Sequence, residues 1–217
     1  MYQLSVDSAL AFARKAIDEL ISTEDIGMLI APDALNLQKL VAGSMVEAVM
    51  NTYANAPALL LNGIEGEEGV DFQNTHIGNG VVEISMLKPT AKILAVKSGD
   101  SDYIVSDLIP EDSAEGRKQL NQYARGVYDD PRLVLQKKWE GELQPTLKYY
   151  SLKDSDPAQL SFYLEYLPYP VLEDGVIEIP QRVEYAVLNY IVAHVLDSYQ
   201  EFDAAEKYRA KAKELLA

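Results

Sequence analysis

The sequence predicts an α+β fold: a helical layer built from N-terminal and C-terminal helix pairs, with a mostly antiparallel β lobe inserted between them. Three observations predict it. Apolar residues recur at helical spacing at both ends of the chain and at near-alternating spacing in the middle. Gly- and Pro-bearing turns punctuate that middle stretch. The 217 residues, 48% apolar and 24% charged, can bury a real core as one large domain or two small ones. The expected division is residues 1–57 for the N-terminal helices, 58–180 for the β-rich lobe, and 181–217 for a helix pair that packs with the first.

The first helix is expected over residues 7–22, where Leu10, Ala13, Ile17, Leu20 and Ile21 share one side and Ser5 or Asp7 can cap the start. Ser22-Thr23-Glu24-Asp25 and Gly27 break it. The second is expected over residues 33–54, with Pro32 near its start and Pro57 beyond its end. Its stripe is Leu37, Leu40, Val41, Met45, Ala48 and Val49, and the small Gly43 and Ser44 would let another helix approach closely. After a short apolar run at 59–61 comes a Gly-rich loop bearing Glu65, Glu67 and Glu68. It is long for a connection inside a compact domain, so it is expected to be mobile or ordered by a partner.

Residues 81–87 and 92–97 alternate and are expected to pair around Pro89. Further strands are expected at 103–108, 132–138, 146–152 and 160–167, and residues 113–127 read as weakly helical. A strand then closes on Tyr169-Pro170, Asp174-Gly175 makes a turn, and a short strand at 176–179 stops at Pro180. Residues 181–199 are apolar on nearly every side, and a helix of that kind must be covered by more than one surface. The last helix, 203–216, has a single stripe of Ala205, Tyr208, Ala212, Leu215 and Leu216. Lys207, Arg209, Lys211 and Lys213 make its last half basic, which suits the negative end of the helix dipole.

Charge and composition exclude several classes. With 34 acids against 19 bases the net charge is −15, the wrong sign for gripping nucleic acid by its phosphates. The chain has no cysteine, so disulfides, thiolate metal sites and cysteine nucleophiles are excluded. His76 and His194 are too far apart in sequence to form a helical metal pair. The start, Met1-Tyr2-Gln3-Leu4, lacks the pattern of a signal peptide, and the apolar run at 183–196 is broken by Glu184, Asn189 and His194. No membrane partner is expected.

No cluster announces chemistry. The Glu65, Glu67 and Glu68 loop could attract a divalent cation, but it lacks the alternating ligands of a calcium loop and reads as a solvated acidic loop. Asp100-Ser101-Asp102, Asp154-Ser155-Asp156 and Gly78-Asn79-Gly80 read as turns, and His194 as a structural histidine. Trp139 suits a core or an interface anchor equally. Fourteen tyrosines exceed what core packing needs, and their amphipathic rings suit half-wet contacts between subunits. No serine sits in a Gly-x-Ser-x-Gly elbow. The expectation is therefore no catalytic residue, no metal ligand, no cofactor and no enzyme.

The residues from Tyr166 to Pro170, Asp174-Gly175, the segment from Ile177 to Pro180, the Ala186 to Tyr190 stretch and the closing Ala205-Glu206-Lys207-Tyr208-Arg209-Ala210-Lys211-Ala212 carry a resemblance. Together with Asn121 to Gly126 before Asp130-Pro131, they follow an order of elements similar to that of the head-to-tail connector proteins of tailed bacteriophages, also called adaptor, neck, ring or tail accessory proteins. The resemblance implies a virion structural protein at the neck, assembled in the host cytoplasm. It implies a homo-oligomeric ring of about twelve copies that joins the capsid portal protein to the tail or a second ring protein. DNA would pass through its acidic lumen without specific binding. Val187, Tyr190, Ile191, Tyr208 and Lys211 would then form the oligomer or portal interface, and Glu65, Glu67 and Glu68 a mobile or lumen-facing loop. The alternative expectation is a non-catalytic helical interaction module of a bacterial cell.

Overall fold

The structure is a computed structural model that describes residues 1–23, 34–78, 80–99, 102–121, 123–127, 129–136, 143–150 and 161–217. In chain order its elements are β1 (Tyr2–Ser5), α1 (Val6–Thr23), α2 (Ala34–Asn55), a 3-10 turn (Ala58–Leu60), β2 (Ile64–Glu65), β3 (Phe72–Gly78), β4 (Val81–Met86), β5 (Thr90–Ser98), β6 (Leu108–Pro110) and α3 (Ala114–Lys118). They continue with β7 (Arg132–Leu135), β8 (Thr146–Tyr150), β9 (Phe162–Pro168), β10 (Val176–Ile179), a 3-10 turn (Gln181–Val183), α4 (Glu184–Ser198) and α5 (Phe202–Glu214). The fold is α+β, with mostly antiparallel sheets.

The chain divides into two units. A helical unit comprises Met1–Asn62 and Pro170–Ala217, and a β lobe comprises Gly63–Tyr169. The division differs from the expected one at both lobe boundaries. In particular, β10 belongs to the helical unit, because the N-terminal residues themselves form a strand that pairs with it antiparallel, Tyr2 opposite Ile179 and Ser5 opposite Val176. That pairing buries Leu4, Ile177 and Ile179 completely.

The Asp174-Gly175 turn positions the start of α1. Asp174 (φ 49°) and Gly175 (φ 77°) are both left-handed, and Glu173 and Val176 exchange backbone hydrogen bonds across them. Two consecutive positive φ values define a tight turn that Asp-Gly tolerates and most pairs do not. The Gly175 carbonyl accepts from the Val6 amide at 2.9 Å, and the Ser5 hydroxyl accepts from the Ser8 amide at 3.1 Å. Two of the amides that open α1 thus have partners, as helix starts require.

The centre of the helical unit is α4. It packs against α1, α2 and α5 of its own chain, and ten of its residues are buried, from Ala186 to Leu196 with His194 half-buried. The all-round apolar pattern is thus satisfied within one molecule. α1 and α2 begin and end within a residue or so of expectation; the break expected between them, residues 24–33, lies outside the described residues.

The β lobe is a two-sheet sandwich. One sheet has the order β2-β9-β5, the other β3-β4-β8-β7-β6. Among these described strands the pairings are antiparallel except the short β6–β7. The inner faces meet in a core of Phe72, Val82, Ile84, Met86, Leu133, Leu147 and Tyr149 from one sheet and Ile93, Val96, Phe162, Leu164 and Tyr166 from the other. Tyr149 and Phe162 touch edge to face across it, with centroids 5.5 Å apart and planes at 76°.

β4 and β5 do not form the hairpin that their patterns and Pro89 predict. β4 lies between β3 and β8, and β5 lies beside β9 in the other sheet. Residues 87–89 carry the chain across the sandwich. Pro89 has no N–H for a ladder, and the crossing lets Val82, Ile84 and Met86 face Ile93 and Val96 through the core. Among the described residues of the weakly helical 113–127 stretch, only α3 is helical. Ser113 caps it, accepting from the Gly116 amide at 2.9 Å, and a side chain at Gly116 would meet the Pro110 carbonyl at 2.3 Å. Of the expected 103–108 strand, Val105 bridges Val96 and only Leu108 enters β6.

Candidate interaction surfaces

The five residues expected at an oligomer or portal interface divide into two groups. Val187 and Ile191 are 0% exposed and Tyr190 is 3% exposed, so they belong to the helical unit's own core and present no surface. The reason is geometric. An all-round apolar helix needs cover on every side, and three helices of its own chain supply it. Tyr208 is half-buried and Lys211 is exposed, its ammonium 5.8 Å from the centre of the Tyr208 ring. Burial, and then the nearby Glu19 carboxylate, push the Tyr208 phenol up. Burial pushes up Tyr190 as well, against the pull of Arg209.

Arg209 ties α5 to α4, donating to Asp197 on α4 and, at 3.2 Å, to Glu206 on its own helix. Behind α4, Asn51 of α2 shares a 3.2 Å hydrogen bond with the His194 ring, and Glu47 lies 4.0 Å from its other nitrogen. His194 is thus a packing histidine bridging two helices. The helical unit exposes Leu59 and Val171, Tyr185 at the start of α4, Phe202 at the start of α5, and the basic Lys211 and Lys213, among others.

Glu65, Glu67 and Glu68 are all exposed, but their segment is built into the lobe. Ile64 and Glu65 form β2 against Tyr166 and Glu165 of β9, and the Gly66 amide donates to the Leu164 carbonyl at 2.8 Å. The turn that follows is held by Asp71. Its carboxylate accepts from the Glu67 amide at 2.9 Å and pairs with Lys88 at 2.5 Å. Those hydrogen bonds, the backbone one first and Lys88 next, hold the Asp71 carboxyl below the usual carboxylate range despite its burial. Burial first and the neighbouring Asp71 second push Tyr166 up to about 12. The expected mobile loop is therefore a clamped turn whose order comes from within the chain.

Sequence reading passed over Asp71 and Lys88 and gave Tyr166 no part in this turn, the three being scattered along the chain. The available signal was an aspartate directly before a fully buried strand residue, Phe72, in a Gly-rich turn. Asn79, Asp100 and Ser101, Trp139, and the Asp154-Ser155-Asp156 turn lie outside the described residues. His76 stands exposed on β3. Among the described residues no group of three or more His, Asp or Glu side chains could hold a metal ion, and no helix is long and apolar enough to cross a membrane.

The lobe carries its own exposed apolar residues: Ile77, Ile104, Leu120, Tyr123 and Val127, with Tyr123 89% exposed. Ile77 and Leu120 line one open cavity of about 460 Å³ with Glu83, Gln119, Arg125, Lys148 and Tyr150. An apolar cluster left in water in this way marks a contact surface more often than a pocket for chemistry. Comparison with protein-family models and with curated proteins gave no match.

Proposed function

We propose that the chain is a structural component of a ring assembly, a head-to-tail connector of a tailed-phage virion, and not an enzyme. The observation that carries this reading is the nested architecture. The two ends of the chain close one helical unit through β1 and β10, and a separate β lobe is inserted between them. Such a build supplies a rigid, self-contained body with a second body free to specialise in contacts. It agrees with the order of elements on which the resemblance to connector proteins rests.

In this reading Val187, Tyr190 and Ile191 act from inside by fixing the shape of the helical unit. Contacts to a neighbouring copy or to the portal fall to exposed positions such as Tyr185, Phe202 and Lys211. The net charge of −15 lets DNA slide through a lumen without adhering. Electron microscopy of the purified protein, alone and mixed with a portal protein, tests the proposal. Rings, or an added layer on the portal, are the expected result. A chain that forms no ring and adds to no portal would overturn it.

A further inference from the structure

The free edge of β3 is the best-formed docking feature among the described strands. Proteins blunt sheet edges by shortening or covering them. β2 and β6 are two and three residues long, and β5 is partly covered where Val96 and Val105 exchange backbone bonds. β3 has seven residues, pairs among the described residues with β4 alone, keeps a regular register from Phe72 to His76 with a bulge before Gly78, and carries no Asp, Glu, Lys, Arg or Pro. Among the described residues its outer side is occupied at one end alone, where the Phe72 carbonyl accepts from the Gly69 amide at 2.7 Å. In an antiparallel ladder alternate residues point their backbone groups to opposite sides. With Phe72 pointing outward, so do Asn74 and His76, whereas Gln73 and Thr75 bond to β4.

We propose that this edge pairs with the same edge of a second copy of the chain, antiparallel, with Thr75 on the two-fold axis. The register is self-complementary. Asn74 exchanges both backbone hydrogen bonds with the partner's His76, and the symmetric pair does the same. Thr75 faces the partner's Thr75 as a non-hydrogen-bonded pair, an arrangement in which threonines bond well.

Charge selects a second copy as the occupant. The Glu68 carboxylate accepts from the Asn74 side-chain amide at 2.6 Å, so it sits on the face where Asn74 would meet the partner's His76. Each copy thus offers one acid to the other's imidazole. The nearest acid within the sheet, Glu83, pairs with Thr75 one strand further in. The two Glu83 side chains would be about 14 Å apart, three strand spacings, which exceeds the Debye length of about 10 Å at 0.1 M salt. An uncharged edge in a chain of net charge −15 is where two copies can meet without that repulsion. The exposed Ile77 beside it gains cover.

The test is run on the isolated chain without portal; a crosslink at Thr75 reads this two-fold contact, whereas electron microscopy reads the ring, so the two outcomes are distinguishable. Sedimentation below the concentration of ring assembly should show a concentration-dependent dimer. Because the chain has no cysteine, Thr75→Cys gives a single reporter. A non-hydrogen-bonded pair sets the two Cα atoms about 4.5 Å apart, within the roughly 4.4–6.8 Å that a disulfide spans. Mild oxidation should therefore link the two copies. Asn74→Pro removes an outward N–H and leaves the β4 ladder intact, and it should weaken the dimer at least about tenfold. His76→Glu, which sets acid against Glu68, should weaken it several-fold, and adding Glu68→Lys should restore it. A monomer at every concentration, no Thr75→Cys crosslink, or a crosslink equally strong in the His76→Glu background would overturn the proposal.

Discussion

The helical unit and the β lobe solve the same burial problem in opposite ways. The helical unit wraps one apolar helix, α4, in three others, and exposed apolar residues such as Leu59, Val171 and Phe202 lie outside that helix. The lobe spreads its core between two sheets and leaves Ile77, Ile104, Leu120, Tyr123 and Val127 in water. A helix can be covered on all sides by neighbours, whereas a sheet always leaves edges and outer faces. The difference teaches where contacts are to be sought. The apolar helix that looks like an interface in the sequence is spent on stability, and what is left for contacts is found at edges, helix starts and loops.

The sharpest way to break this comparison is at the centre of α4. Val187 is fully buried in the helical unit, so Val187→Glu places an uncompensated charge there. The expected loss is about 4–5 kcal/mol, enough to unfold that unit. Loss of helical circular dichroism at room temperature checks it. A variant that stays fully helical and fails only to assemble would return Val187 to the role of an interface residue.

The same contrast explains what the sequence makes legible. The helices are readable because their apolar stripes are local: Leu37, Val41, Met45 and Ala48 announce α2, and Ala205 and Ala212 announce α5. The Asp174-Gly175 turn is equally local. Strand partners are not. Nothing in residues 81–98 distinguishes a hairpin from a crossing between sheets, because Val82 and Ile93 can lie side by side or face to face with the same alternation. Pairing of Tyr2–Ser5 with Val176–Ile179 spans nearly the whole chain and has no local signature. The clamp at Asp71 was hidden for the same reason, since Lys88 and Tyr166 reach it only through the fold. Val187, Tyr190 and Ile191, expected at an interface, lie inside the helical unit, because periodicity reports that a helix is covered but not by which chain.

A smaller effect is expected in the lobe, at Asp71. Its folded carboxyl titrates below its ordinary value, so the unfolded chain binds more protons in the acid range. The stabilisation from its ionised form is present above about pH 4, the unfolded value, and is lost as pH falls through the lower folded value. Asp71→Asn should cost roughly 1–2 kcal/mol at neutral pH, through the bonds to the Glu67 amide and Lys88. It should also flatten the fall in stability below pH 4. Urea unfolding at pH 7 and at pH 3 measures both. An unchanged slope would show that the turn is held without the carboxylate.

The smallest effect on stability is expected at Lys211, and there the comparison is sharpened instead of broken. Lys211 is exposed, and its contact with the Tyr208 ring at 5.8 Å is a surface cation–π pair. Lys211→Glu should change unfolding by no more than about 1 kcal/mol. If the helical unit docks through its basic last helix, the same change should slow association with an acidic partner and remove part of its salt dependence, because exposed charges act mainly on the rate of encounter. Binding kinetics at low and high salt separate the two outcomes. Unaltered association alongside unaltered stability would shift the docking surface away from α5, toward the exposed apolar residues of the lobe.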